Sequence, residues 1–194
     1  MPRVIAGSAG GIRLLAPVGR GTRPTPDRVK ESLFSILGPR LPGARVLDLF
    51  AGTGQLAIEA LSRGAASAVL VESGREPAEV IRHNLDRTGL SGKARLVRTD
   101  CRSALRVLAA EGCAFDLVFL DPPYAEAPRW FGQLAPVLLT GGLLAPGGLL
   151  VLEQEARNPA SGSVMGLQSC RTCRYGTTML SFYQAACAIS SEER

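Results

Sequence analysis

The chain has 194 residues, 46% of them hydrophobic and 20% charged, with a net charge of +5. That suffices for one domain with a substantial core plus an extension, and is too short for two ordinary domains. No run approaches the roughly 20 apolar residues of a membrane helix and Met1-Pro2-Arg3 leads into no signal-peptide core, so a cytoplasmic protein with no membrane contact is expected.

Residues 3–15, RVIAGSAGGIRLL, read as two short strands around a glycine-rich turn. After the loop 19–26, Thr25 and Pro26 suit the N-cap and first residue of a helix whose apolar stripe is Val29, Leu33, Phe34, Ile36 and Leu37, ending at Gly38-Pro39. From Arg45 strands and helices alternate. Strands are expected at 45–50, 67–72, 95–99, 115–120 and 148–153, with helices at about 54–63, 76–88, 102–110 and 128–139. This repetition of buried apolar strands and helices predicts a doubly wound, mostly parallel α/β sheet. The stretch CRTCRYGTTMLSFYQA, with Tyr175-Gly176 at its centre, predicts a terminal hairpin completing it. The expected organisation is a basic extension over 1–40, a domain over 41–185 and a frayed tail over 186–194.

Charge follows that division. Residues 1–40 carry seven basic side chains against Asp27 and Glu31, whereas residues 41–194 hold fifteen of each sign. The excess in the extension fits a phosphate-backbone contact surface, with a soluble arm lacking any partner as the plainer reading. Five cysteines at irregular spacing argue against a disulfide framework. Cys170 and Cys173 form a CxxC with no second pair nearby, and His83 is the only histidine; two strand cysteines are favoured over a metal or redox site.

Three constellations carry chemistry. In VLDLFAGTGQLAIEAL (46–61) a strand runs into Phe50-Ala51-Gly52-Thr53-Gly54 and a helix starts at once, the pattern that lets backbone approach a ligand closely. Glu72 closes the next strand, where an acid can accept hydrogen bonds from ribose hydroxyls. Together they suggest an adenosine-containing cofactor. Ala57 replaces the third glycine of a dinucleotide fingerprint, which that fold permits. Asp48, inside the first strand, would repel a pyrophosphate but suits a cationic amino-acid moiety, such as the ammonium of S-adenosylmethionine. Second, Asp100, followed by Cys101, is placed to hydrogen-bond an adenine amine or to N-cap the next helix. Third, the apolar run 115–120 stops in Asp121-Pro122-Pro123-Tyr124, and the two prolines hold a carboxylate, a carbonyl and a ring at a strand's carboxyl end, where open α/β sheets bind ligands.

The third motif resembles the (Asp/Asn/Ser)-Pro-Pro-(Tyr/Phe) signature of class I S-adenosylmethionine methyltransferases that modify planar amino groups. TRPTPDRVKESLFSIL, VLDLFAGTGQLAIEALSRGA, DLVFLDPPY and RYGTTMLSFY together resemble the bacterial 16S ribosomal RNA (guanine-N2)-methyltransferase family of the RsmD type, from Arg3 to about Tyr183. The resemblance implies a seven-stranded Rossmann-like sheet, methyl transfer from S-adenosylmethionine to the exocyclic amine of a guanine, and a 30S particle as substrate, with the enzyme acting as a monomer. Gln55, where that family usually has a small or apolar residue, and the bulky SGREPAEV after Glu72 are departures. On this reading Asp48, Phe50, Gly52, Gly54, Glu72, Asp100 and Cys101 hold the cofactor. Asp121 and the Pro122 carbonyl accept the amine N–H bonds, while Tyr124 stacks on the base. Arg3, Arg13, Arg23 and Arg28 grip phosphates, and no metal is expected. The alternatives are an amino-methyltransferase for DNA adenine or a protein glutamine, an NAD-dependent oxidoreductase, and a non-catalytic RNA-binding protein.

Overall fold

The computed structural model describes residues 2–17 and 26–185. Apolar periodicity produces the expected alternation: helix α1 (Asp27–Leu37), strand β1 (Arg45–Asp48), α2 (Gln55–Ser62), β2 (Ser67–Val71), α3 (Arg75–Thr88), β3 (Ala94–Val97), α4 (Cys101–Ala110), β4 (Phe115–Leu120), α5 (Ala127–Thr140), β5 (Leu144–Glu155), β6 (Ser163–Val164), β7 (Leu167–Tyr175) and β8 (Thr178–Ala185). The strands form one sheet in the order β3-β2-β1-β4-β5-β8-β7-β6. β1 to β5 pair in parallel, and β8, β7 and β6 add antiparallel to that edge. Among the described residues the eight strands exceed the expected seven by the two-residue β6, too short to show a period in sequence.

Alternate residues of each central strand serve opposite faces. Val46, Leu117, Phe119, Leu149 and Val151 pack into a cluster with α1, α2, part of α3 and the N-terminal segment. Leu47, Val118, Leu120, Leu150 and Leu152 pack on the other face with α4 and α5. Such two-sided cover is why these strands read as unbroken apolar runs.

The N-terminal hairpin has one antiparallel bridge, Arg3 to Arg13, held by the Val4 amide on the Ile12 carbonyl and the Leu14 amide on the Pro2 carbonyl, and its turn is bonded to the domain. Glu59 of α2 accepts the amides of Ile5 and Ala6 at 2.6 and 3.0 Å. Ser62 accepts from the Ala9 amide and donates to the Ala6 carbonyl. Val4, Ala9 and Leu14 enter the same core as Phe34 of α1, whose ring lies 6.0 Å from that of Phe119 in β4. Helix α1 starts at Asp27, with Pro26 extended before it rather than as its first residue; Thr25, expected as its cap, lies outside the described residues, as do residues 186–194.

Strand β5 begins four residues earlier than its sequence pattern indicates, at Leu144. Phe115 pairs with Leu144 and Leu117 with Leu149, so residues 145–148, with Pro146 and two glycines, bulge out, and their composition hides the strand.

Candidate active site

The chain leaves β1 and threads between its neighbours: the Leu49 amide donates to Phe119 of β4 and the Ala51 amide to Val71 of β2. It then turns through Gly52 and Gly54, both at positive φ (54° and 78°). A Cβ on Gly54 would stand 3.2 Å from both Ile58 and Leu70 side chains, whereas one on Gly52 would meet nothing closer than 4.0 Å. Gly54 is therefore required by packing behind the loop, and Gly52 leaves its front open to a ligand. Asn84 of α3, fully buried, holds the loop from behind by donating to the Thr53 carbonyl at 2.9 Å, and it also bonds both backbone groups of Leu15.

Around this loop the structure brings together the carboxylates anticipated from sequence. Glu72, one residue past β2, accepts from the Gly52 amide at 3.0 Å and the Gly74 amide at 2.7 Å, so it fixes the loop while retaining lone pairs for ribose hydroxyls. Asp100 is the N-cap of α4, accepting from the Arg102 and Ser103 amides; the Ser103 hydroxyl first, and then these amides, favour its charged form and hold its pKa below the usual carboxylate range. Its reading as a cap is thus realised, and it is exposed. The thiol of Cys101 points inward and donates to the Leu49 carbonyl at 2.7 Å. Burial, with the neighbouring carboxylates, pushes its pKa up to about 12, so it is a packing group and no nucleophile.

Asp48, only 1% exposed, has no hydrogen-bond partner on either oxygen. Burial pushes its pKa up to about 7, with Glu72 adding repulsion, against the pull of the Ala57 and Phe50 amides, which approach without reaching hydrogen-bond geometry. A buried, unpartnered carboxylate beside an open glycine turn fits the ammonium of an amino-acid moiety, and with Glu72 and Asp100 nearby it opposes a pyrophosphate. The folded protein binds more protons than the unfolded one between the ordinary carboxylate value and about 7, so stability falls as pH rises through that window. Asp48→Asn is therefore expected to stabilise the ligand-free protein by roughly 1 to 3 kcal/mol at about pH 8 and to leave it unchanged at about pH 4, since a tenfold change in proton affinity is worth about 1.4 kcal/mol. Thermal melts across pH check this; equal gains at both pH values would assign the effect to packing.

Asp121 follows β4 directly and, with Pro122 and Pro123, is in neither helix nor strand. The alternation Leu117, Phe119, Asp121 places its side chain on the α1 and α2 side of the sheet, the side of Asp48, whose strand partner is Phe119. There Asp121 lines a cavity of about 10 Å³ with Leu33 of α1, Leu56 of α2 and Glu153 of β5, room for about one water. Pro122 is buried, and Tyr124 opens a short 3₁₀ turn to Glu126; its ring is outside the described side chains. Of the basic residues, Arg3, Arg13 and Arg28 are exposed. The bridge sets Arg3 opposite Arg13, and Arg3 also pairs with Asp27 at 2.9 Å, which offsets part of its charge. Arg23 lies outside the described residues. Cys170 is exposed and Cys173 half-buried in β7, and among the described residues no cluster of His, Cys, Asp or Glu could hold a metal. No described helix is long and apolar enough to cross a membrane.

Two features escaped the sequence reading. Trp130 of α5 meets Phe50 edge-on, ring centroids 5.3 Å apart; its signal was an aromatic on an otherwise ordinary amphipathic stripe. Lys30 and Glu59, both fully buried, lie 3.8 Å apart, and in sequence they look like ordinary surface charges of two helices.

A family profile described as "Conserved hypothetical protein 95" matches residues 2–184. The chain belongs to this family. Its RsmD-type character, anticipated from the motifs, is borne out by its relatives: "Ribosomal RNA small subunit methyltransferase D" of Escherichia coli K12 is 39% identical over 156 residues, 80% of this chain and 76% of that protein. Among solved structures, a hypothetical protein of Thermus thermophilus superposes with a TM-score of 0.80 at 34% identity, covering 94% of this chain and 98% of that one. An RNA methyltransferase of Salinibacter ruber in complex with S-adenosyl-L-homocysteine shares the fold, with a TM-score of 0.66 at 18% identity, over 88% and 98% of the two chains. In this family the Rossmann-like sheet is thus the methyltransferase type that the strand order indicates.

Proposed function

We propose that this protein transfers a methyl group from S-adenosylmethionine to the exocyclic N2 amine of a guanine in 16S ribosomal RNA, acting on a 30S particle as a monomer. The observation that carries the reading is Asp121-Pro122-Pro123-Tyr124 at the end of β4, on the same face of the sheet as Asp48 and next to the glycine turn. The name of the E. coli relative points to small-subunit RNA.

Asp48 and the turn at Gly52 and Gly54 hold the amino-acid end of the cofactor, Glu72 its ribose, and Asp100 the adenine edge, with Phe50 as a wall. When bound, the cofactor supplies a methyl group already activated on a sulfonium. The protein's work is then to orient the acceptor. A guanine N2 lone pair is delocalised into the ring and attacks poorly. Asp121 and the Pro122 carbonyl accept its two N–H bonds and draw the lone pair out of the ring plane, and the Tyr124 ring stacks on the base, a contact worth about 1 to 3 kcal/mol. Positioning and electrostatics do the rest. The amine becomes strongly acidic only after it gains the methyl, so its proton leaves late, to water or to Asp121. A paired base cannot present its amine so, and the target is unpaired or flipped out. Arg3, Arg13, Arg23 and Arg28 position the surrounding phosphates without reading sequence.

Unmodified 30S particles incubated with the protein and methyl-labelled cofactor should acquire label in 16S RNA; label in ribosomal protein instead would favour the glutamine alternative. Glu72→Ala should weaken S-adenosylhomocysteine binding by roughly 1.5 to 3 kcal/mol in calorimetry, because a charged acceptor is lost and the Gly52 amide loses its anchor. An unchanged dissociation constant would remove Glu72 from the site.

A further inference from the structure

Resting on the reading of this chain as an RNA methyltransferase, we propose that Trp130, Arg102, Arg106 and Arg129 form a second RNA-contact surface, on the α4 and α5 face of the sheet, opposite the N-terminal arm. The indole of Trp130 is fixed on two sides, by the edge of Phe50 and by donation from its Nε1 to Glu126 at 3.0 Å. Two guanidinium groups lie over its ring, Arg102 at 5.7 Å and Arg129 at 5.9 Å from the centroid. Arg102 is steadied by donating to Gln133 at 2.6 Å. Arg106 stands one helical turn further along α4, on the same side, and all three arginines are exposed.

Two carboxylates stand at this surface, Glu126 on the indole N–H of Trp130 and Asp100 capping α4 beside Arg102; others are paired elsewhere. Asp116 pairs with Arg45, Glu111 with Arg95, Glu79 with Arg75 and Glu59 with Arg63. Among the described residues Arg102, Arg106 and Arg129 form no ion pair. Three arginines against Glu126 and Asp100 leave a local positive excess around a half-buried aromatic. An aromatic ring with guanidinium groups over it that form no ion pair is complementary to a strand offering phosphates, and to bases where a guanidinium swings aside to a phosphate. Its place fits as well: Phe50, which braces Trp130, leads directly into the glycine turn. A strand with its target base at Asp121 would have the arm's arginines on one side and this surface on the other.

The test uses the full chain, S-adenosylhomocysteine at saturation and a short fluorescein-labelled single-stranded RNA. Arg106→Ala combined with Arg129→Ala should weaken RNA binding roughly 5- to 10-fold, and the slope of log affinity against log salt should fall by about 0.7 per lost phosphate contact. Affinity for S-adenosylhomocysteine should be unchanged. Arg45→Ala, which removes charge at the opposite end of the strands, should leave the slope as it is. Trp130 is the only tryptophan, so its fluorescence should be quenched as RNA is added. Parental affinity and slope in the double variant, or no quenching, would overturn the proposal. So would a fall in S-adenosylhomocysteine affinity, which would assign the surface to the cofactor, or lost transfer to 30S particles with RNA binding intact, which would assign it to a ribosomal protein. Parental transfer to particles is measured separately: its failure with the RNA effects present would retire the methylation reading and leave the surface standing.

Discussion

Asp121→Leu is expected to abolish methyl transfer, while Asp121→Asn retains a measurable rate. Leucine is of similar bulk and offers no acceptor. Asparagine keeps a carbonyl oxygen that can take one N–H of the amine, at the cost of the negative charge. If Asp121 acts by orienting the amine and polarising its N–H bonds, the loss in the Asn variant is about 10²- to 10³-fold, the scale seen when one preorganised polar contact to a transition state is removed. If it must instead take a proton before attack, the Asn and Leu variants are equally dead. Single-turnover transfer to 30S particles separates the two, once calorimetry shows that each variant still binds S-adenosylhomocysteine. A fully active Leu variant would place the reacting amine elsewhere.

Glu59→Leu is expected to cost about 3 to 5 kcal/mol of folding stability, the range for breaking a buried ion pair by removing one partner. Glu59 is a four-way junction: it accepts from the Ile5 and Ala6 amides, pairs with Arg63 at 2.7 Å and faces Lys30 at 3.8 Å. Its loss leaves the Lys30 ammonium buried without its carboxylate, donating to the Arg3 carbonyl. Burial already draws the Lys30 pKa down, against the attraction of Glu59 and Asp27. Adding Lys30→Met should recover much of the loss, because the stranded charge is gone, although the two amides stay unpaired. Urea melts of the two single variants and the double one give the coupling; additive costs would mean that the pair does not interact. The N-terminal segment hangs on this junction, so the Glu59 variant should also expose it to proteolysis.

These residues show where a sequence can be read and where it cannot. β4 was legible to the residue, because a strand covered on both faces is an unbroken apolar run and two prolines end it. Glu72 and Asp48 were legible because each stands at a fixed distance from a glycine turn that leaves few backbone choices. Asp100 offered two readings, cap and ligand, and the structure realises the cap. Lys30 and Glu59 were not legible. A charged residue on a helix belongs to solvent by default, and only the third dimension shows that the N-terminal segment folds over α2 and seals both from water. The pairing of Phe50 with Trp130 joins residues eighty positions apart through the α5 face of the sheet, which no local period encodes. The bulge in β5 was hidden for the opposite reason: its proline and glycines signal a turn, and the strand resumes on either side of them.

The central claim is the identity of the methylated atom, and nucleoside mass spectrometry addresses it most directly. 16S RNA from unmodified 30S particles, incubated with the protein and S-adenosylmethionine and then digested to nucleosides, should contain newly formed N2-methylguanosine, and the Asp121→Leu protein should form none. Methyl groups appearing only on adenine, or N2-methylguanosine formed equally by the Leu variant, would contradict the account.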